Sequence, residues 1–315
     1  MPLLVLTMLL AAMTAAYAVV AWLTAEEPLT TWLDEWRLRR TDLRALDAAC
    51  AANPRDSGLV VSLTTIPSRI GALELTLKSL LRQTARPRAI RLCVPEWSAR
   101  EQCAYDVPAW LAGLKVVTVV RCTDEGPATK FLATLRAVAA DQAVVVVDDD
   151  RIYHARLLES YAALVRALPG EALGAAGWRV PADLTDRATT LRSRWAGAPE
   201  VPRRAHRLQR PERTDIMQGV HSYVVRPEFF DLGKLGDFSV APAAVRFVDD
   251  VWISAHCRAA KWLRPLPLSF TDYKPWSHWR RFDRTSLGSN INGARRDEDR
   301  GNSVALRFFR GLGKL

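Results

Sequence analysis

No C-x-x-C pair occurs in this chain, and its five cysteines (Cys50, Cys93, Cys103, Cys122 and Cys257) are odd in number and scattered. That excludes both a cysteine zinc site and a disulfide framework, and free thiols suit a reducing compartment. There is no internal repeat, which excludes a solenoid or propeller. Acidic residues are in deficit, 34 against 44 basic ones, for a net charge of +10. Such a surface suits anionic partners: phosphates, anionic lipid headgroups or nucleic acid. No nucleic-acid-binding module is recognisable, so a nucleic-acid partner is not expected. Residues 1–23 lack any Asp, Glu, Lys, Arg or His. A helix of that length spans roughly 34 Å, enough for a bilayer core of about 30 Å. Nothing basic precedes it, which disfavours a cleaved signal peptide. Arg37, Arg39, Arg40 and Arg44 follow it, so the positive-inside rule places the bulk of the chain in the cytoplasm.

What is abundant is a buried-strand signature running into acid. Residues 143–150 read Ala-Val-Val-Val-Val-Asp-Asp-Asp. Consecutive valines suit a strand covered on both faces, as in a parallel sheet flanked by helices. Ligands of open α/β sheets bind beyond the carboxyl ends of the strands. Three acids there repel one another unless a cation sits among them, and hard oxygen ligands suit Mg²⁺ or Mn²⁺ carried in with phosphates. In an extended chain Asp148 and Asp150 face one ligand while Asp149 turns elsewhere. The competing reading is an acidic turn capping the next helix, which needs one acid and not three.

In chain order, residues 1–24 read as a transmembrane anchor. Residues 25–55, with Leu29, Trp32 and Trp36 among charges, read as an amphipathic juxtamembrane helix. Residues 56–270 read as the catalytic domain, an α/β fold opening with strand 59–64, a helix to Gln83 and strand 90–94. Lys130 falls in the first turn of a helix, where a cation opposes the helix dipole, so contact with a phosphate or base competes with plain solvation. The arginine-rich stretch 182–215 has little periodicity and reads as a mobile loop, either a lid over a diphosphate or a lipid contact. Residues 216–225 read as one strand with Gly219 at a bulge. Asp249 and Asp250 open a helix, where a capping pair competes with a catalytic carboxylate. Residues 271–315 form a basic, aromatic extension with Trp276, His278, Trp279, Arg280 and Arg281, ending in a short basic helix over 303–314 that would touch the membrane.

Four pieces, in order, resemble GT-A glycosyltransferases, close to family 2. Val60-Val-Ser-Leu-Thr-Thr-Ile-Pro-Ser-Arg69 resembles the first strand and turn, and Ser79-Leu-Leu-Arg-Gln83 the end of the following helix. Asp148-Asp-Asp150 resembles the DxD motif, and Asp249-Asp250 the later acidic pair. The Gly-Pro-Ala-Thr-Lys segment before the DxD strand is similar to exostosin-like hexosaminyltransferases. The resemblance spans about residues 57–268. It implies a Rossmann-like GT-A fold, with a mostly parallel central sheet and helices on both faces, and a hexosyl- or hexosaminyltransferase using Mn²⁺ or Mg²⁺.

It also implies roles. Thr64, Thr65, Pro67 and Arg69 lie near the base and ribose, with Glu96, Lys130, Asp148 and Asp149 completing nucleotide-sugar binding. Asp150 and Asp148 bind the metal, and His278 completes it. Asp249 or Asp250 deprotonates the acceptor hydroxyl, and Gly219, His221 and Ser222 line the acceptor side. Two features depart from the family. Pro95-Glu96 stands where many members have a uracil-reading aspartate, and Ser277-His-Trp-Arg-Arg281 is not the Q-x-x-R-W motif of processive members. The implied reaction is therefore a single, inverting transfer from a nucleotide-sugar, a UDP-sugar by resemblance, to a lipid-linked or cell-envelope glycan. A nucleotidyltransferase competes, but its glycine-rich loop is absent from residues 64–69. A non-catalytic basic adaptor binding anionic lipid or polysaccharide has no need of two acidic clusters.

Overall fold

The computed structural model describes residues 2–24, 27–276, 278 and 296–315. Three helices open the chain: α1 (Pro2–Thr24), α2 (Pro28–Arg40) and α3 (Leu43–Ala52). There follow β1 (Val60–Thr64), α4 (Pro67–Ile70), α5 (Glu74–Leu81), β2 (Ala89–Pro95), β3 (Trp97–Ser98), β4 (Cys103–Ala104), β5 (Val117–Cys122), α6 (Thr129–Leu135) and β6 (Val144–Val146). The second half holds β7 (Ile152–Tyr153), α7 (Leu157–Ala167), β8 (Glu171–Gly174), β9 (Ala176–Trp178), α8 (Leu191–Trp195), β10 (Arg203–Arg204), β11 (Glu212–Arg213), β12 (Ile216–Met217) and β13 (Tyr223–Val225). It closes with α9 (Leu232–Leu235), α10 (Asp249–His256), β14 (Ala260–Leu263), β15 (Asp272–Tyr273) and α11 (Gly301–Gly311).

The architecture is mixed α/β around an eight-stranded sheet of order β11-β14-β8-β13-β6-β1-β2-β5. The pairings β1–β2, β1–β6, β2–β5 and β8–β14 are parallel. Strand β13 runs antiparallel to both β6 and β8, and β11 antiparallel to β14. The valine run shows why this sheet forms where it does. Val145 and Val147 point into a core shared with α5 and α7, through Leu77, Leu80, Leu157 and Tyr161. Val144 and Val146 point to the opposite face, into a core shared with α6 and α10, through Phe131, Leu135 and Trp252. All four valines are fully buried. A strand that is apolar on both faces must be covered on both, and each such side chain contributes roughly 1.5–3 kcal/mol.

Several expectations are corrected. Residues 25–55 are two helices: Asp42 caps α3 by accepting from Ala45 N at 2.8 Å, which breaks the chain after Arg40. The stretch 182–215 contains α8, β10 and β11, and β11 takes an edge of the main sheet. Thr190 and Ser193 form a capping box at the start of α8, a local signal outside the hydrophobic period. The segment 216–225 is two strands, separated by a 3₁₀ turn over Gly219–His221 and by Ser222 at φ 88°. The described residues beyond 270 are built into the fold: β15 pairs with β7, and α11 buries Leu306 and Phe309 against α10, away from any membrane role for that face. Trp279, Arg280 and Arg281, with Ser277, lie outside the described residues. Among the described residues no helix is long and apolar enough to cross a membrane, so the span expected over residues 1–24 is not carried by them.

Candidate functional site

The carboxyl ends of β1 and β6 and the N-termini of α6 and α10 converge on a cleft of about 890 Å³. Strand β1 delivers Thr64 and Thr65, β6 delivers Asp148, Asp149 and Asp150, α6 delivers Lys130, and α10 delivers Asp249 and Asp250. All three acids after β6 line the cleft, and Asp149 and Asp150 stand in a turn, so the alternation of an extended chain does not separate them. Asp149 is held from the protein side: Thr65 Oγ1 donates to its Oδ2 at 2.6 Å and Arg69 Nη1 to its Oδ1 at 3.2 Å. Thr76 Oγ1 donates to its carbonyl at 2.9 Å, fixing the turn. Asp148 and Asp150 face the cleft beside it, Asp148 paired with Lys130. Arg69 Nη1 stands 3.9 Å from Asp150. Burial, then the neighbouring Asp149 and Asp148, push the Asp150 carboxyl up to about 6.

Lys130 explains its own position. Its Nζ lies 2.7 Å from Asp148 and 2.7 Å from Asp249, so it bridges the two acidic clusters. Burial pulls its ammonium down, and Asp148, Asp249 and Asp250 outweigh that and hold it well above the ordinary lysine range. The opposing helix dipole, worth at most about 1–2 kcal/mol, is small beside two close carboxylates. The backbone next to it is tied in as well, because Ser62 Oγ donates to the Lys130 carbonyl at 2.5 Å.

The two acids of α10 differ. Asp249 is buried on Lys130. Asp250 is partly open to the cleft and accepts from Gly219 N at 2.8 Å. Burial, then the adjacent Asp249, push the Asp250 carboxyl up to about 8. Gly219 is required by space: a Cβ there would lie 2.7 Å from Lys130 Nζ and 2.9 Å from Asp250 Oδ1. A carboxylate held by one backbone N–H, raised toward neutral pH and facing a cleft is suited to accept a proton.

Other expected residues lie elsewhere. Glu96 is exposed, 3.5 Å from Arg121, and does not line the cleft; Pro67 starts α4 and does not line it either. His221 and Ser222 turn inward. His221 Nδ1 sits 2.9 Å from Asp272, and Ser222 Oγ 3.0 Å from the Tyr161 hydroxyl, while Val220 takes the cleft wall. The alternation expected of a single strand fails there because residues 219–221 form a 3₁₀ turn. His278 is buried and does not line the cleft. Among the described residues no group of three or more His, Cys, Asp or Glu side chains is arranged to hold a metal ion. What stands in the cleft fits a different kind of metal site, in which one or two carboxylates hold a hard cation that completes its shell with water and substrate phosphates.

The sequence reading missed two walls. One is made by Ala99, Arg100, Tyr105 and Asp124. Tyr105 donates to the Thr65 carbonyl at 2.9 Å, and Asp124 accepts from Ala99 N at 2.7 Å and Gly126 N at 2.8 Å. The Asp-Glu-Gly at 124–126 was a visible turn signal for it. The other wall, Phe238, Ala241, Pro242 and Arg246, is irregular and carries no periodicity.

No family model matches the chain, and no curated protein matches it. Among solved structures, the crystal structure of S. aureus TarS 1–349 aligns at 14% identity with a TM-score of 0.43, covering 69% of this chain and 60% of that one. The chain thus spans less than two thirds of that structure, and a likeness at that score does not assign a function.

Proposed function

We propose that this chain is a metal-dependent glycosyltransferase that moves one hexosyl or hexosaminyl unit from a nucleotide-sugar, a UDP-sugar, to a lipid-linked or cell-envelope glycan acceptor with inversion. One observation carries the reading. A single cleft holds, on one side, the acids Asp148 and Asp150 at the end of a buried strand and, on the other, Asp250 on a backbone N–H with its carboxyl pushed up to about 8. Lys130 sits between them. Displacement at a sugar carbon needs a proton acceptor on the nucleophile side and charge neutralisation on the leaving-group side, and this cleft offers both.

In this reading Asp250 takes the proton from the acceptor hydroxyl, and Gly219 N–H fixes its position. Thr64, Thr65 and Arg69 orient the nucleotide. Asp150, with Asp148, would hold Mn²⁺ or Mg²⁺, which supplies neutralisation of the departing diphosphate. Asp149, already held by Thr65 and Arg69, keeps the loop in shape. Attachment of the N-terminal segment to a membrane surface belongs to the same proposal and rests on the uncharged helix α1 followed by Arg37, Arg39 and Arg40.

Calorimetric titration of UDP, GDP and CDP, each with Mn²⁺ and with EDTA, tests it. Metal-dependent binding of one nucleotide, lost in Asp150→Ala, is the expected result. A folded protein that binds none of the three sinks the proposal.

A further inference from the structure

Helix α2 is inside out. Its buried face carries Thr31, Glu35 and Leu38. Asp34 accepts from Arg82 Nη1 and Nη2 at 2.6 Å each and from the Tyr273 hydroxyl at 2.9 Å, and Glu35 accepts from Trp276 N at 2.8 Å. Apart from Leu38, the large apolar residues point the other way: Leu29 is 63% exposed, Trp32 51%, Leu33 44% and Trp36 45%. A helix on the surface of a globular protein in water shows the opposite arrangement. Polar anchors pin this helix to the body so that its indoles face outward.

Two neighbours share the feature. Helix α1 ends four residues before α2 begins and exposes Leu3, Leu4, Leu6, Met8, Leu9 and Leu10, positions that cover its whole circumference. At its far end Trp22 meets Trp195 of α8 edge-on, with ring centroids 6.4 Å apart, and Arg207 Nη2 reaches the Ala21 carbonyl at 3.5 Å. Trp195 is 84% exposed, and Leu191 beside it is also exposed. Arginines frame the patch: Arg40 lies over the Trp36 ring at 3.6 Å, and Arg37, Arg192 and Arg207 are exposed.

We propose that the outward face of α2, with the Leu191/Trp195 tip of α8 and the end of α1, is a docking surface for the headgroup–acyl boundary of an anionic bilayer. A protein partner covers one side of a helix; α1 is apolar on every side, which suits an isotropic apolar solvent. Indoles at the end of an apolar helix, with guanidiniums beside them, form the arrangement that settles at a membrane interface. The charge sign selects anionic headgroups. The surface requires no crossing of the bilayer and does not rest on the reaction proposed above. It assigns the arginine-rich insert to lipid and not to a lid, since its helix sits at the end of α1 and none of its residues lines the cleft.

The test uses the full chain with vesicles of phosphatidylcholine alone or mixed with phosphatidylglycerol. Hydrogen exchange is followed over residues 28–40 and 190–196, and tryptophan quenching is measured with lipids brominated on the acyl chains. Exchange over both segments should slow about tenfold or more with the mixed vesicles, and salt should reverse the gain due to phosphatidylglycerol. Quenching should fall in Trp32→Ser/Trp36→Ser and in Trp195→Ser, but not in Trp97→Ser, which removes an exposed indole on β3. These side chains are exposed, so the variants should keep the wild-type circular dichroism. Unchanged exchange over 28–40 in the presence of vesicles overturns the proposal. So does protection that appears without lipid and grows with protein concentration, which would make the occupant a second copy of the chain.

Discussion

Replacing Lys130 by methionine isolates the electrostatic design of the cleft, because methionine keeps the length of the side chain and removes only its charge. In the native protein the ammonium lies 2.7 Å from both Asp148 and Asp249. Removing one member of a buried ion pair costs about 3–5 kcal/mol, since the partner charge stays behind. Asp148 is partly open to water, so about 3 kcal/mol is the better figure. At roughly 2–4 °C per kcal/mol for a chain of this size, the thermal midpoint should fall by about 6–12 °C near neutral pH. The pH dependence gives the sharper check. Burial and the adjacent Asp249 raise the Asp250 carboxyl, Lys130 lowers it, and without Lys130 it rises further in the folded state. A raised folded value contributes stability that is complete below the unfolded value, about 4, and is lost as pH climbs through the folded value. The deficit should therefore be smaller near pH 5 than at pH 8.5. Thermal unfolding by circular dichroism, in a mild detergent that covers α1, measures both. Equal deficits at the two pH values would refute the bridging role.

Asp250→Asn keeps an acceptor for Gly219 N–H and removes the ionisable group, so turnover should be lost while the fold is stabilised above pH 8 by about 1–3 kcal/mol, a range discounted for exposure to the cleft. The wild-type kcat/KM should rise with pH toward the Asp250 value of about 8, and a profile flat from pH 6 to 9 would count against Asp250 as the base. Gly219→Ala inserts a methyl group against Lys130 Nζ and Asp250 Oδ1, and turnover should fall at least tenfold with about 1–2 kcal/mol of stability lost, checked by steady-state kinetics and unfolding together. Asp272→Asn leaves Arg151, Arg204 and His221 facing a neutral group and should cost about 3–5 kcal/mol. Burial pushes the Asp272 carboxyl up, and Arg151, His221 and Arg204 hold it far below the usual range. A depressed value contributes stability above the unfolded value of about 4, so this deficit should persist from pH 8 down to about pH 4 and narrow only in stronger acid.

The parallel half of the sheet was legible because its residues answer to one physical demand. Val144 to Val147 are apolar on both faces, and Val60 to Leu63 are buried on both with one serine among them, and only a doubly covered strand accommodates that. The Leu-Leu-Arg-Gln end of α5 was visible as a pattern, and the structure supplies its cause. Gln83 Nε2 donates to the His154 carbonyl at 2.9 Å and its Oε1 accepts from Leu158 N at 3.0 Å, tying α5 to the start of α7. The antiparallel insertion of β13 was not legible. Tyr223-Val-Val225 is apolar in either direction, and the reversal depends on the turn at Gly219–Ser222. Most of residues 182–215 lacks hydrophobic period because β10 and β11 are two-residue strands recruited by neighbours distant in sequence. Helix α2 was expected to be amphipathic, but its apolar residues divide between the exposed Leu29, Trp32, Leu33 and Trp36 and the buried Leu38, and the sequence alone does not say which face meets the protein. That was decided by Arg82, Tyr273 and Trp276, which come from elements far along the chain.

The candidate site shows the same division at the scale of single residues. Asp249 and Asp250 are equivalent as letters: both are acids in the first turn of a helix. They separate only because successive helical residues point about 100° apart, which sends one to Lys130 and the other to Gly219 N–H and the cleft. Lys130 was the one residue whose sequence position already conflicted with local physics, a cation at the positive end of a helix dipole. Local conflict of that kind persists where a tertiary interaction outweighs it, and here two carboxylates from different elements do so. The conflict was therefore a better pointer to the centre of the cleft than Glu96, Pro67, His221 or His278. None of those four lines the cleft.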